Sequence, residues 1–305
     1  MPKNTTYDDI IIDSLFLRNT LVTMGVMFSA FLVIFVFCLK DFRDCFKTNR
    51  KKLGVLFVIF ILGFWLRNSH YTLGMHTDGW VYAESAKYML LKGIYVKDCA
   101  IGNLESCHLY EQVLAPPGYP FLISLAYQIF GINSYFAGVI SGILSSLTIV
   151  LIFFIAKELF DENAGLLAAA IFAFFPYDLL FAGSGHARPT SLFFVSFALF
   201  LYLLTVKKNS LRLWFATALT LSMAVYIRQE NIVLLFPMLL GLFVFNYFRR
   251  TEFMERSIIE KAKIFSKKIA FPALLFIVTQ LPVQMWVINS KYAGHNLLEG
   301  KAIFL

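Results

Sequence analysis

An acid flanked by aromatic residues is the strongest chemical signal in the chain: His76-Thr77-Asp78-Gly79-Trp80-Val81-Tyr82. It follows an apolar run by about ten residues, which puts the Asp78 carboxylate beside a membrane surface. A carboxylate so placed can act as general base on an acceptor hydroxyl. Aspartate also caps helices, and a helix running through Ala83, Ala86 and Leu90 would start from such a cap. The residues alone leave both readings open. Glu84 lies six residues on, hence on another part of that helix surface, and Glu111 lies further along; either can assist or fix Asp78. The matching cations are Arg228, Arg188 beside His186, and Lys87. Arginine offers a fork that suits a phosphate, although cations at the ends of spans also touch lipid headgroups. Asp178, in Phe175-Pro176-Tyr177-Asp178, falls inside an apolar run. An acid at that depth is costly and often functional; the alternative is that it pairs with a nearby cation or with the chain freed by Pro176.

The elements that must position these groups are membrane spans. The chain has 305 residues, of which 59% are hydrophobic and 15% charged, including 34 phenylalanines. Its mean hydropathy is +0.70. Soluble domains carry roughly 25% charged residues, and an apolar stretch of roughly 20 residues crosses the hydrocarbon core as a helix. About eight such stretches occur, at 19–39, 53–68, 134–157, 164–183, 187–206, 212–227, 231–248 and 269–289. The expected fold is therefore all-α, a polytopic transmembrane helix bundle. The net charge of +8 does not point to nucleic acid, because the basic residues sit in short loops between apolar runs, where they set topology. With 40–52 inside, the loops near 157–163, 207–212 and 249–268 are inside too, and these four hold 17 of the 27 basic residues.

The segment 67–133 then lies outside. It ends in Pro117-Gly118-Tyr119-Pro120 followed by an apolar stretch too short to span comfortably, which reads as a juxtamembrane helix. Cys99 and Cys107 share this loop on the oxidising side, and the interval between them can be closed by a disulfide. Cys38 and Cys45 read as plain thiols at the inner end of the first span. His70, His76 and His108 lie in the same outer loop as Asp78, but lone loop histidines are usually solvated. No cysteine spacing suits zinc and no glycine-rich phosphate loop is present, so no metal or cofactor is indicated. The polar start, with Asp8, Asp9 and Asp13, does not resemble a cleavable signal peptide. Asn4-Thr5-Thr6 is a glycosylation sequon on the outer side.

In order along the chain, these features resemble the GT-C glycosyltransferases, in particular the branch of protein mannosyltransferases and lipid A aminoarabinose transferases. The resemblance rests on the outer acid Asp78 after an outward-going span and on Pro116-Pro117-Gly118-Tyr119-Pro120 opening a juxtamembrane helix. It continues through the inner turn Lys157-Glu158-Leu159-Phe160 with Ala164-Gly165-Leu166-Leu167-Ala168-Ala169, the mid-span Phe175-Pro176, and Arg228-Gln229-Glu230 with Leu234 to Pro237. It covers roughly residues 53–290. It implies an inverting transfer from a sugar on a polyprenyl or dolichyl phosphate to a protein, lipid or glycan acceptor outside the plasma membrane. Asp78 would be the base, and Lys87, Arg188 and Arg228 would be cations for the leaving phosphate. The chain departs from the family pattern at Gly79, where an acid is common, and at Arg188-Pro189-Thr190, where an acid often opens the span.

The expected division is an extra span and cytosolic loop over 1–52, a catalytic module over 53–290 that includes the outer loop 67–133, and the start of an outer segment over 291–305. A transporter or flippase-like protein is the competing class. It would show inverted repeats and midplane polar residues, whereas the polar residues here gather in one outer loop and at outer span ends. A noncatalytic membrane scaffold is the third reading, and it requires Asp78 to be dispensable.

Overall fold

A computed structural model describes residues 7–42, 47–69, 77–92, 96–97, 108–109, 116–208, 210–234, 236–238 and 273–281. Side chains are described from Val22 in the first helix and from Gly79 in the third. Helices make up the described chain: α1 (Tyr7–Phe42), α2 (Arg50–Asn68), α3 (Thr77–Lys92), α4 (Gly118–Phe130), α5 (Tyr135–Leu159), α6 (Glu162–Ala173), α7 (Pro176–Ala182), α8 (Ala187–Lys208) and α9 (Leu211–Ile227), then a 3₁₀ segment, Gln229–Leu234. Residues 273–281 are also helical. The one exception to an all-helical fold is a two-residue antiparallel ladder in the outer loop, Val96–Lys97 with His108–Leu109.

Among the described residues, three of the about eight expected spans, or four if one bent pair is a single span, are helices long and apolar enough to cross a membrane. Within α1, Val22–Leu39, together with α5 and α8, is long and apolar enough to cross a membrane, and α6 with α7 makes a fourth crossing if the bent pair is one span. The physical reasons differ by element. α2 opens with Arg50-Lys51-Lys52 and carries Arg67 near its end, so charge dilutes its 19 residues. α9 has 17 residues, about 25 Å at 1.5 Å per residue. Most of the seventh expected span and the ends of the eighth lie outside the described residues. The juxtamembrane helix is present as α4, whose 13 residues bury Tyr119, Ile123 and Tyr127.

Between apolar helices in lipid, close approach of small residues does the packing. α6 presents Gly165, Ala169 and Ala173 at four-residue spacing, and all three are buried. A Cβ on Gly165 would stand 2.8 Å from the Phe153 carbonyl oxygen of α5, so the two backbones touch here. α8 packs between α9 and α5, and α5 in turn meets α2 and α6. α1 lies against α9 and leaves Val26, Val33 and Phe37 exposed, as a lipid-facing helix should. The segment between α2 and α5 reaches this bundle through α3 on α4, where Tyr127 Oη donates to the Ala83 carbonyl at 3.3 Å.

Candidate functional site

The span opened by Pro176 is what creates a site. α6 stops at Ala173, and α7 leaves it at 56°. Proline suits the first turn of the new helix because its missing N–H would have no partner there. The seven residues of α7 end at Gly183, and the chain then reverses into α8 through Gly185, whose φ of 74° is left-handed. His186 Nδ1 accepts the Arg188 N–H at 3.1 Å, which ties off the first turn of α8. From the other side, α9 ends where Arg228 turns extended, with φ −148° and ψ 120°.

Between α7, the start of α8 and the turn after α9 lies a cleft of about 500 Å³. Arg188 and Arg228 both line it, with Tyr177, Asp178, Glu230 and Asn231, against apolar walls that include Phe175, Phe181, Leu192 and Val233. The Arg188 guanidinium lies over the Phe181 ring at 5.1 Å and the Tyr177 ring at 5.9 Å, and it donates to the Tyr177 hydroxyl. Among the described residues it has no ion-pair partner. Arg228 Nη2, in contrast, is held by Glu230 Oε1 at 2.6 Å. Partial burial pushes the Glu230 carboxyl up, but its own backbone N–H and the Arg228 guanidinium outweigh this and hold it below the usual glutamate value. Asn231 donates to Ser191 Oγ at 2.8 Å and to the Ala224 carbonyl at 2.7 Å, and so pins the turn after α9 to α8. A cleft with one arginine seated on aromatic rings, a second tethered by a carboxylate, and greasy walls can hold an anionic headgroup attached to an apolar chain.

The structure sorts the sequence candidates. Arg188 and Arg228, 40 residues apart in the chain, come together. Asp178 joins them at the rim, 5% exposed, and its charge is met by Arg67. Glu84 and Lys87 pair with each other at 3.6 Å on α3 and do not line this cleft. Asp78 falls in the first turn of α3, which begins at Thr77, two residues earlier than a cap at Asp78 requires. Its side chain lies outside the described residues, but its neighbour fixes the address. A Cβ on Gly79 would stand 2.2 Å from the Ser184 carbonyl oxygen, so the start of α3 rests on the turn that leads to Arg188. Tyr82, one turn on, packs edge-on against Tyr119 at 5.2 Å and His186 at 6.3 Å. Glu111, His70, His76, Cys99, Cys107 and the Asn4 sequon lie outside the described residues, as does the side chain of His108.

Sequence reasoning missed Arg67 and Tyr177. Half of the signal for Arg67 existed: Asp178, an acid set into an apolar run, needs a partner of the other sign, but Arg67 stands at the end of its run and does not announce itself as that partner. For Tyr177, next to a proline in an aromatic-rich stretch, no sequence signal marks the contact with Arg188.

Residues 115–286, more than half of the chain, match the family described as dolichyl-phosphate-mannose-protein mannosyltransferase. The matched region contains every residue that lines the cleft, but it begins after Asp78, Glu84, Lys87 and Glu111, later than the resemblance from residue 53 suggested. The comparison with curated proteins gives no match. With apolar helices built for lipid and a match of this extent, the chain belongs to the dolichyl-phosphate-mannose-protein mannosyltransferase family of membrane glycosyltransferases.

Proposed function

We propose that the protein transfers a sugar from a dolichyl or polyprenyl phosphate to an acceptor hydroxyl on the outer face of the plasma membrane, with inversion at the anomeric carbon. The observation that carries this reading is the meeting of Arg188 and Arg228 in one cleft with apolar walls. The arginines would hold the phosphate, and the apolar side chains would receive the first isoprene units. Mannose is the sugar that the family description names. The about-eight-span topology, which directs the cleft and the outer loop outward, belongs to the same proposal.

In the reaction the acceptor oxygen attacks the anomeric carbon while Asp78 takes its proton. The bond from that carbon to the phosphate oxygen breaks, and its electron pair stays on the phosphate. Negative charge grows there, and fixed cations lower the barrier where charge develops. Gly79 supports this arrangement, because the backbone after Asp78 rests on Ser184, four residues before Arg188. The closeness brings base and cation to one end of the bundle. Glu84 and Glu111 remain candidates for fixing Asp78, and Lys87 for a secondary phosphate contact.

The test is transfer of radiolabelled mannose from dolichyl and polyprenyl phosphate donors in membranes, with the intact protein and Asp78→Asn at equal expression. Transfer that disappears in the variant supports the reading. Equal activity in both removes Asp78 from the mechanism. No transfer by either returns the protein to the scaffold reading.

A further inference from the structure

One arginine from another helix holds the break between α6 and α7. Pro176 has no N–H to continue the ladder, so the Phe172 carbonyl accepts instead from the Phe175 N–H at 3.1 Å, and in lipid the carbonyls at the break take further partners from within the protein. Arg67 of α2, 1% exposed, supplies them. Its Nη2 donates to the Phe172 carbonyl at 2.8 Å, and its Nη1 donates to the Ala173 carbonyl at 2.7 Å and to Gly63 at 3.2 Å. The rest of the guanidinium faces the far side of the break: Nη2 and Nε each lie 3.0 Å from Asp178 Oδ2. Ser145 of α5 closes the set, accepting from Nε at 2.7 Å and donating to the same carboxylate oxygen at 2.5 Å. The guanidinium thus bonds the last turn of α6 and the first turn of α7 at once, and so sets the direction of α7.

What α7 carries is the seat of Arg188. Tyr177 and Phe181 flank Asp178 on this short helix, and both hold the Arg188 guanidinium. We propose that Arg67 and Asp178 are positioning residues for Arg188: by fixing α7 they fix where this cation of the cleft stands. This rests on the reading of the cleft as the donor-phosphate site. A merely structural role predicts something different. Buried ion pairs are often replaced by well-packed apolar residues with little loss of stability, and such a replacement would then leave phosphate binding alone. The fork is what an apolar pair cannot reproduce, because it carries the directional bonds to Phe172 and Ala173.

The test is the affinity of the purified full chain for decaprenyl phosphate, with thermal unfolding measured alongside. Arg188→Gln should weaken binding about tenfold or more, the size expected for a lost charge-assisted hydrogen bond. The double variant Arg67→Met/Asp178→Leu should lose a similar factor while its unfolding temperature stays within a few degrees of the parent. Adding Arg188→Gln to it should cost nothing further, because both changes act through one contact. If the double variant does not fold, Arg67→Lys takes its place: it keeps the charge beside Asp178 but cannot fork to both carbonyls, and it too should weaken binding. Parental affinity in the folded double variant, or in Arg67→Lys, with a loss in Arg188→Gln, overturns the positioning role and leaves the cleft standing. Parental affinity in Arg188→Gln overturns the cleft itself, and the positioning role with it.

Discussion

Gly79 and Ser184 touch backbone to backbone: a Cβ on the glycine would lie 2.2 Å from the serine carbonyl oxygen and 3.3 Å from its carbonyl carbon. The contact leaves no room for any side chain at position 79. The glycine is therefore a docking point, which seats the outer loop on the turn before α8.

Gly79→Ala should accordingly push α3 off that turn. A backbone carbonyl cannot swing aside as a flexible side chain can, so a destabilisation of about 1–3 kcal/mol is expected. Transfer activity should fall with it, and unfolding in detergent together with the transfer assay will read both. Gly118→Ala is the companion case, with Tyr226 O at 2.4 Å and Ile227 N at 2.8 Å of the added carbon. It should loosen α4 from α9 without touching the cleft residues.

Asp78→Asn should lower turnover by about 10²- to 10⁴-fold, the usual contribution of a positioned general base. Donor binding should be unchanged, since the carboxylate acts on the acceptor. A KM for donor that stays constant while kcat collapses is the expected signature in the radiolabel assay.

Arg67→Met alone should be far worse than the paired replacement. It leaves the Asp178 carboxylate, at 5% exposure, with Ser145 but no cation, and takes the guanidinium from the Ala173 and Phe172 carbonyls, the latter keeping the Phe175 N–H. Breaking one side of a buried pair costs about 3–5 kcal/mol. Expression and the unfolding temperature should show the difference, with Arg67→Met/Asp178→Leu recovering most of it.

Glu230 restrains Arg228, and its pH behaviour follows from the direction of its shift. The carboxyl titrates below its usual value, so the ion pair is complete at and above the ordinary glutamate value of about 4.3. It is lost only as pH falls through the lower folded value. Between pH 5 and 8 donor affinity should therefore show no titration from this group. Glu230→Gln should release Arg228 and tighten decaprenyl phosphate several-fold at all of these pH values, measured as in the binding assay above.

Much of this protein follows from local properties of its sequence. Apolar runs fix the solvent as lipid, and the positions of Lys and Arg between them suggest which loops share a side. The turn chemistry of Pro117-Gly118 marks a helix start, and the structure places α4 there, whereas Pro176, expected in the middle of one span, opens the separate helix α7. Arg188 and Arg228 were legible as cations at span ends, because an arginine beside an apolar run has few other reasons to be there. Asp178 was legible as an acid at depth in need of a partner. What local properties cannot give is who meets whom. Helices that are apolar all round show only a stripe of small residues, such as Gly165, Ala169 and Ala173 on α6, and that stripe does not name the helix it will meet. The partner of Asp178 is Arg67, 111 residues earlier on a helix whose end reads as an ordinary loop boundary. Gly79 reads as a departure from a family pattern until Ser184 is found against it. The sharing of one cleft by Arg188 and Arg228 arises because α9 packs antiparallel to α8, which returns the chain to the same end of the bundle. Burial of charges and contact between backbones are properties of pairs brought together by folding, and only the tertiary structure decided them.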